Sequence, residues 1–269
     1  MSTKDELVVS GCSFTSDYIK LRNDSLKRKH KNNTVQYFNE ETEKYEFYTY
    51  EYIEPFPTLD YYIGKHFNLK PINLGISGAS NREIFERSVD YIAENSQKVK
   101  ILIVNWTWFG RMSFMKQYKP IQYQTVQYDY TSSEEQIEIN FMRNNESFIL
   151  LDFMYKNNYL NIEFDIDLLF RYSFLLEKLC ENLNIKFVQS FTFGANIKEP
   201  LLIDHSLLYN INLDNFYGYP GDLNLGGFAL FDKDNKKYWV SKYDNHPNEL
   251  AHKKAAEDLI NFIEKRRLL

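Results

Sequence analysis

Two short stretches, one near each end of the chain, hold the residue types that nucleophilic chemistry needs. Near the start, Leu7-Val8-Val9-Ser10-Gly11-Cys12-Ser13-Phe14-Thr15 passes from β-favouring apolar residues into a Gly and then a Ser. A buried parallel strand that breaks into a tight turn reads this way. Gly11 permits backbone angles that a side chain forbids. Ser13 is therefore expected at the strand's carboxyl end, its hydroxyl exposed beside backbone N–H groups with no strand partner. Near the other end, Tyr243-Asp244-Asn245-His246-Pro247-Asn248 precedes a helical pattern. Histidine is the usual base for a serine hydroxyl, because its unperturbed pKa lies near neutrality. A carboxylate bonded to the other ring nitrogen fixes the tautomer and supports the imidazolium. Asp244, two residues from His246, is the candidate. Plainer readings stand beside these: a strand-to-loop turn with a capping serine, and an aspartate that caps the following helix. Asp244-x-His246 could also be half of a metal site, but no further His or Cys cluster supplies the rest, so no metal or cofactor is expected.

Cys12 competes with Ser13, since a thiolate is the better nucleophile. Neighbours in an extended segment point opposite ways, so only one of the two can face His246. Asp204-His205 is a second acid–base pair with no supporting context, and His252 falls on an apolar helical stripe and reads as packing.

Strands are expected over 6–10, 71–74, 100–105 and 185–191, and helices over 58–67, from 81 onward, over 165–183 and from near Pro247. Ser80-Asn81-Arg82-Glu83 fits a capping box at the start of the second helix. Strand–helix alternation four times over implies an α/β fold, a parallel sheet with helices on both faces. Three tracts break this pattern: about 20–57, 114–163 and 194–243. The first holds a candidate hairpin through 34–38 and 45–52. All three follow strands, so they emerge at one edge of the sheet and should meet above Ser13 as a cap. None looks like a linker, so residues 1–269 read as one domain.

Composition narrows the function classes. The 269 residues are 43% hydrophobic and 26% charged, which is globular rather than disordered. A net charge of −5 argues against a general nucleic-acid binder. No run of about 18 apolar residues exists to span a membrane. The opening MSTKDE lacks the features of a secretory signal, so a cytoplasmic protein is expected. Two cysteines, Cys12 and Cys180, give no disulfide framework. Aromatic residues reach 17%, and many tyrosines lie in polar segments, which suits exposed ring-rich surfaces.

The blocks also carry a resemblance. Gly11-Cys12-Ser13-Phe14-Thr15 resembles the Gly-Asp-Ser-x-Ser/Thr block of the SGNH (GDSL) hydrolase superfamily. Asn73-Leu74-Gly75-Ile76-Ser77-Gly78 is similar to its second block, and Asp244-x-His246-Pro247-Asn248 to its last. They come in the family's order, on the expected elements, and cover roughly half the chain; the three tracts are not explained by them. The Gly-Cys-Ser-Phe-Thr start and Asp-x-His-Pro ending look closest to a divergent branch of bacteriophage and bacterial glycan-related proteins. The resemblance implies a flavodoxin-like three-layer α/β/α sandwich. It implies Ser13 as nucleophile, His246 as general base, Asp244 orienting His246, and the N–H groups of Ser13 and Gly78 facing an oxyanion. Three departures matter. Cys12 stands where the family has Asp. The usual Asp-x-x-His is Asp-x-His here, with Tyr243 at the expected carboxylate position, so a Ser–His dyad stays open. The third block's Gly-x-Asn-Asp is replaced by Asn105-Trp106-Thr107-Trp108, leaving Asn105 or Thr107 as the third oxyanion donor.

Trp106, Trp108 and Arg111 follow the third expected strand and are candidates for stacking on a sugar or pairing with an anionic substituent; cap packing is the alternative. The resemblance implies an ester hydrolase, and a Tyr-rich polar cap suits a carbohydrate O-acetyl ester over a long-chain lipid. Two alternatives accompany it: an O-acyltransferase, and a fold that has lost its chemistry and serves as a structural or glycan-binding protein, virion-associated if phage-encoded. The expected partner is a small-molecule or glycan ester.

Overall fold

Apolar runs without a polar break, such as Leu7-Val8-Val9 and Ile101-Leu102-Ile103-Val104, need cover on both faces, and the fold supplies it. The computed structural model describes residues 5–27, 34–39, 44–49, 52–107, 111–117, 122–127, 129–130, 137–138, 162–192, 206–217, 236–241 and 244–269. The described elements run, in order, β1 (Glu6–Ser10), α1 (Tyr18–Lys27), β2 (Thr34–Asn39), β3 (Lys44–Thr49), α2 (Leu59–Phe67), β4 (Lys70–Asn73), α3 (Asn81–Asn95) and β5 (Val99–Trp106). Then come β6 (Arg111–Gln117), β7 (Gln122–Gln127), β8 (Asp129–Tyr130), β9 (Ile137–Glu138), α4 (Ile162–Asn182) and β10 (Lys186–Phe191). The chain closes with β11 (Phe216–Tyr217), β12 (Trp239–Ser241), β13 (Asp244–Pro247) and α5 (Glu249–Lys265).

Five strands form one sheet in the order β11-β10-β5-β1-β4, and every pairing in it is parallel. Counted along the chain, this is the 2-1-3-4-5 order of flavodoxin-like folds. The order reverses between β1 and β5, which opens a crevice beyond their carboxyl ends. The expected three-layer α/β/α sandwich is the observed architecture. The fifth strand, β11, is an addition to the four expected; two residues long, it carries too little pattern to stand out.

Alternation along the strands divides the core. Val8, Leu102, Val104, Trp106 and Phe187 pack with Ile84 and Ile92 of α3 and with Leu169, Phe170 and Leu176 of α4. Leu7, Val9, Ile101, Ile103 and Val188 pack with Leu59 and Ile63 of α2 and with Ala255, Leu259 and Ile263 of α5. Each fully buried aliphatic side chain contributes about 1.5–3 kcal/mol, so these two faces dominate stability.

The hairpin in the first tract exists as β2 and β3, paired antiparallel from Thr34↔Thr49 to Asn39↔Lys44. Two expectations need correction. Residues 20–27 of the first tract belong to a helix that begins at Tyr18, and the last helix, expected from near Pro247, begins two residues on at Glu249, with Pro247 itself ending a strand. The helix cap is Asn248, whose side chain accepts from the Ala251 N–H at 3.0 Å. Ser80 caps α3 by accepting from the Glu83 N–H, but the Glu83 carboxylate turns to Arg87 at 3.1 Å, so only half of a capping box forms. Of the predicted cap, residues 28–33, 40–43, 50–51, 118–121, 128, 131–136, 139–161, 194–205, 218–235 and 242–243 lie outside the described residues.

Candidate active site

β1 ends at Ser10, and the chain folds at once into a tight turn. The Cys12 carbonyl accepts from the N–H groups of Thr15 at 2.9 Å and Ser16 at 3.0 Å, and the Ser16 hydroxyl donates to the Ser13 carbonyl at 3.2 Å. Gly11 is required by proximity: a Cβ there would strike the Thr15 side chain and lie 3.2 Å from the Asn105 carbonyl. Cys12 is fully buried in the core cluster beneath the turn. Ser13 is itself only 4% exposed, less open than expected, because the turn closes over its own first residues.

A second loop, after β4, lies against this turn. The Leu74 N–H donates to Val9 at 2.8 Å and the Ile76 N–H to Gly11 at 3.1 Å, extending the parallel pairing past the sheet. Asn73 ties the two loops together. Its amide donates to the Thr15 carbonyl and to Asp60, both at 2.8 Å, and its oxygen accepts from the Gly75 N–H at 2.8 Å. The loop reaches Gly78 at φ +80, a left-handed conformation that favours glycine, with no described residue within 4 Å of where a Cβ would stand. Among the described residues, no backbone carbonyl accepts from the N–H of Ser13 or of Gly78.

Asp244 and His246 are brought together by a strand. In β13, residues two apart share a face, so the shortened Asp-x-His spacing directs both side chains the same way. β13 is held in place by antiparallel pairing with β12, Ser241↔Asp244 and Trp239↔Pro247. The His246 Nδ1 lies 2.6 Å from Asp244 Oδ1, which also accepts from the His246 backbone N–H at 3.2 Å. An ionised carboxylate only accepts, so Nδ1 carries the proton and Nε2 is left as the basic nitrogen. The carboxylate is 2% exposed and the imidazole 22% exposed, a buried anion behind a ring open on one side. Burial alone would raise the Asp244 pKa. The hydrogen bond and charge of His246, its backbone N–H and the Arg22 guanidinium outweigh that, and hold the carboxyl below its ordinary value.

His246 meets the serine turn through Phe14, whose ring centroid is 5.1 Å away. Among the described hydrogen bonds, none joins the Ser13 hydroxyl to His246. Nucleophile–base contacts are often long in unliganded sites and tighten with substrate.

The remaining expected site residues fall elsewhere. Asn105 is buried beneath the turn, its amide donating to Thr15 Oγ1 at 3.2 Å and its oxygen accepting from the Ser190 hydroxyl at 2.5 Å. It braces the turn from below. Thr107 is buried as well, its backbone clamped by Asn81, with N–H to Asn81 Oδ1 at 2.8 Å and carbonyl from Asn81 Nδ2 at 3.3 Å. Trp106 does not line the site edge: it is fully buried on the α3–α4 side, its indole N–H donating to Gln189 at 2.9 Å. Alternation along β5 turns it inward. Trp108, Asp204, His205, Tyr243 and the Arg111 side chain lie outside the described residues. His252 is a core residue, as its place on the stripe implied, with burial pushing its pKa down to about 3.

Sequence reading missed Tyr18 and Arg22 of α1. The Tyr18 hydroxyl donates to Asp244 Oδ2 at 3.1 Å, and Arg22 Nη1 reaches the same oxygen at 3.4 Å. The Tyr18 ring lies flat on His246, centroids 3.6 Å apart and planes 9° apart. Their four-residue spacing, which puts both on one helix face, was the available signal.

No family model matches the chain, and no curated protein matches it. A solved structure from Desulfitobacterium hafniense DCB-2, named as a lipolytic protein of the G-D-S-L family, is similar at 12% identity and a TM-score of 0.45, over 96% of this chain and 99% of that one.

Proposed function

We propose that this chain is a serine ester hydrolase that transfers an acyl group from an ester to Ser13 and then to water. The observation that carries the reading is the pairing of Asp244 with His246 Nδ1 at 2.6 Å, beside the turn that bears Ser13. In this reading His246 Nε2 takes the Ser13 proton as the oxygen attacks the ester carbonyl carbon. The N–H groups of Ser13 and Gly78 receive the developing oxyanion, where one such donor is worth about 3 kcal/mol of barrier. His246 then gives its proton to the leaving alcohol, and water repeats the sequence on the acyl-enzyme. Asp244 holds the ring and balances the imidazolium. The aromatic-rich tracts favour a carbohydrate O-acetyl ester as substrate class.

A second reading keeps the fold as a glycan-binding protein without chemistry. The deep burial of Ser13, and an Asn105 amide already engaged beneath the turn, favour it. A fluorophosphonate probe separates the two. Labelling of the intact protein that disappears in Ser13→Ala, with acetate released from an acetylated glycan, supports hydrolysis. Labelling with acetyl transfer to a sugar hydroxyl makes it an O-acyltransferase. A folded protein that takes no label but still binds glycan returns the answer to the second reading.

A further inference from the structure

We propose that Tyr18 and Arg22, outside the Ser–His–Asp pattern, are positioning residues that lock the Asp244–His246 pair. The inference rests on the esterase reading for its kinetic consequence, but its structural part stands apart from it.

Asp244 has no loose oxygen. Oδ1 accepts from the His246 ring and backbone N–H, while Oδ2 accepts from Tyr18 and Arg22. A carboxylate held by one histidine alone can rotate and exchange its oxygens; bonds on both oxygens, from two different elements, remove that freedom. The imidazole is fixed in a second way. Tyr18 lies parallel to it at 3.6 Å, and Phe14 stands tilted against it at 5.1 Å. One side chain, Tyr18, thus grips the acid through its hydroxyl and the base through its ring. α1 starts two residues after the serine turn, with the Tyr18 N–H donating to Ser16 at 2.8 Å. The helix therefore couples the turn carrying the nucleophile to the strand carrying the base.

The charge of Arg22 adds a separate effect. Arg22 and Asp244 are 3% and 2% exposed, so water screens their interaction little. Among the described residues, His246 is held by Asp244 of its own strand and flanked by the rings of Tyr18 from α1 and Phe14 of the turn, and Arg22 acts on it through Asp244 Oδ2. Without Arg22 that oxygen loses its charged partner, and the carboxylate is freer to turn behind the ring.

The test uses the full-length protein with Tyr18→Phe, Tyr18→Leu, Arg22→Lys and Arg22→Met. Two readouts are taken: the low-field proton resonance of His246 Nδ1–H, which needs no substrate, and kcat and KM for p-nitrophenyl acetate across pH. Arg22→Met should lower kcat several-fold with KM within about twofold and shift the Nδ1–H resonance, and Arg22→Lys should restore most of both. Tyr18→Leu should lower kcat about tenfold with KM within about twofold, and should broaden or shift the Nδ1–H resonance. Tyr18→Phe, which keeps the stack, should do less. If Arg22→Met does not fold, the two Tyr18 variants, which leave the ion pair in place, still decide. Folded Tyr18→Leu and Arg22→Met proteins with an unmoved resonance and kcat overturn the proposal. A wild-type protein with the expected resonance behaviour but no ester hydrolysis would overturn the esterase reading and leave the positioning intact.

Discussion

Asp244 carries two loads, and they respond differently to substitution. On the esterase reading it is the anion that fixes the tautomer of the base His246, so Asp244→Asn should lower kcat on the order of 10³–10⁴-fold with labelling of Ser13 slowed to match. As the partner of Arg22 it neutralises a buried cation, and its loss should cost about 3–5 kcal/mol of stability at neutral pH. The sign with pH follows from its depressed pKa. A carboxyl whose folded pKa lies below its unfolded value of about 3.9 adds stability that is complete above that value and is lost as pH falls through the folded one. Urea midpoints of wild type and Asp244→Asn should therefore converge below about pH 4. Trp106→Phe tests the corrected placement of that residue. It leaves a hydrogen-bonding position of the buried Gln189 without its indole donor, so thermal unfolding should report a loss of about 1–3 kcal/mol. At this scale the sequence was informative about residue type and less so about direction: nothing in Asn105-Trp106-Thr107 says which side chain the pleat turns inward.

Among the elements, β13 explains why an irregular-looking spacing works. A segment expected to be loop is extended, and alternation alone aligns its acid and base. α1 was illegible for a related reason: its buried positions include Arg22 and Asn23, which bond to Asp244 and to the Ile53 carbonyl, so the apolar periodicity that announces a helix is missing. α2, α3, α4 and α5 show that periodicity and were read within a few residues of their bounds. Two element-level predictions follow from backbone and burial. Gly78→Ala should cost about 1–2 kcal/mol from its left-handed backbone alone, since no described residue lies within 4 Å of the added Cβ. On α5, His252 is neutral in the folded protein and is protonated in the unfolded chain below about pH 6.5. Stability should fall as pH drops from there toward its folded pKa of about 3, and His252→Leu should flatten that slope in urea titrations.

Over the whole molecule, the parallel α/β architecture was legible because its central strands are unbroken apolar runs that alternate with helices. The edge strand β11 was not, for want of length. β5 is the centre of the sheet, and all but Lys100 of its residues are buried. Its amides, with those of β1, should be the last to exchange with solvent, at the free energy of global unfolding, while those of the β12–β13 hairpin exchange sooner. The serine turn and the histidine strand belong to opposite ends of the polypeptide, and this has a consequence during synthesis. On a ribosome the turn emerges 233 residues ahead of His246, so, on the esterase reading, Ser13 stays an unactivated alcohol until β13 has been made. On that same reading, termination anywhere upstream of β13 would leave a product without its general base, however much of the sheet it had managed to build.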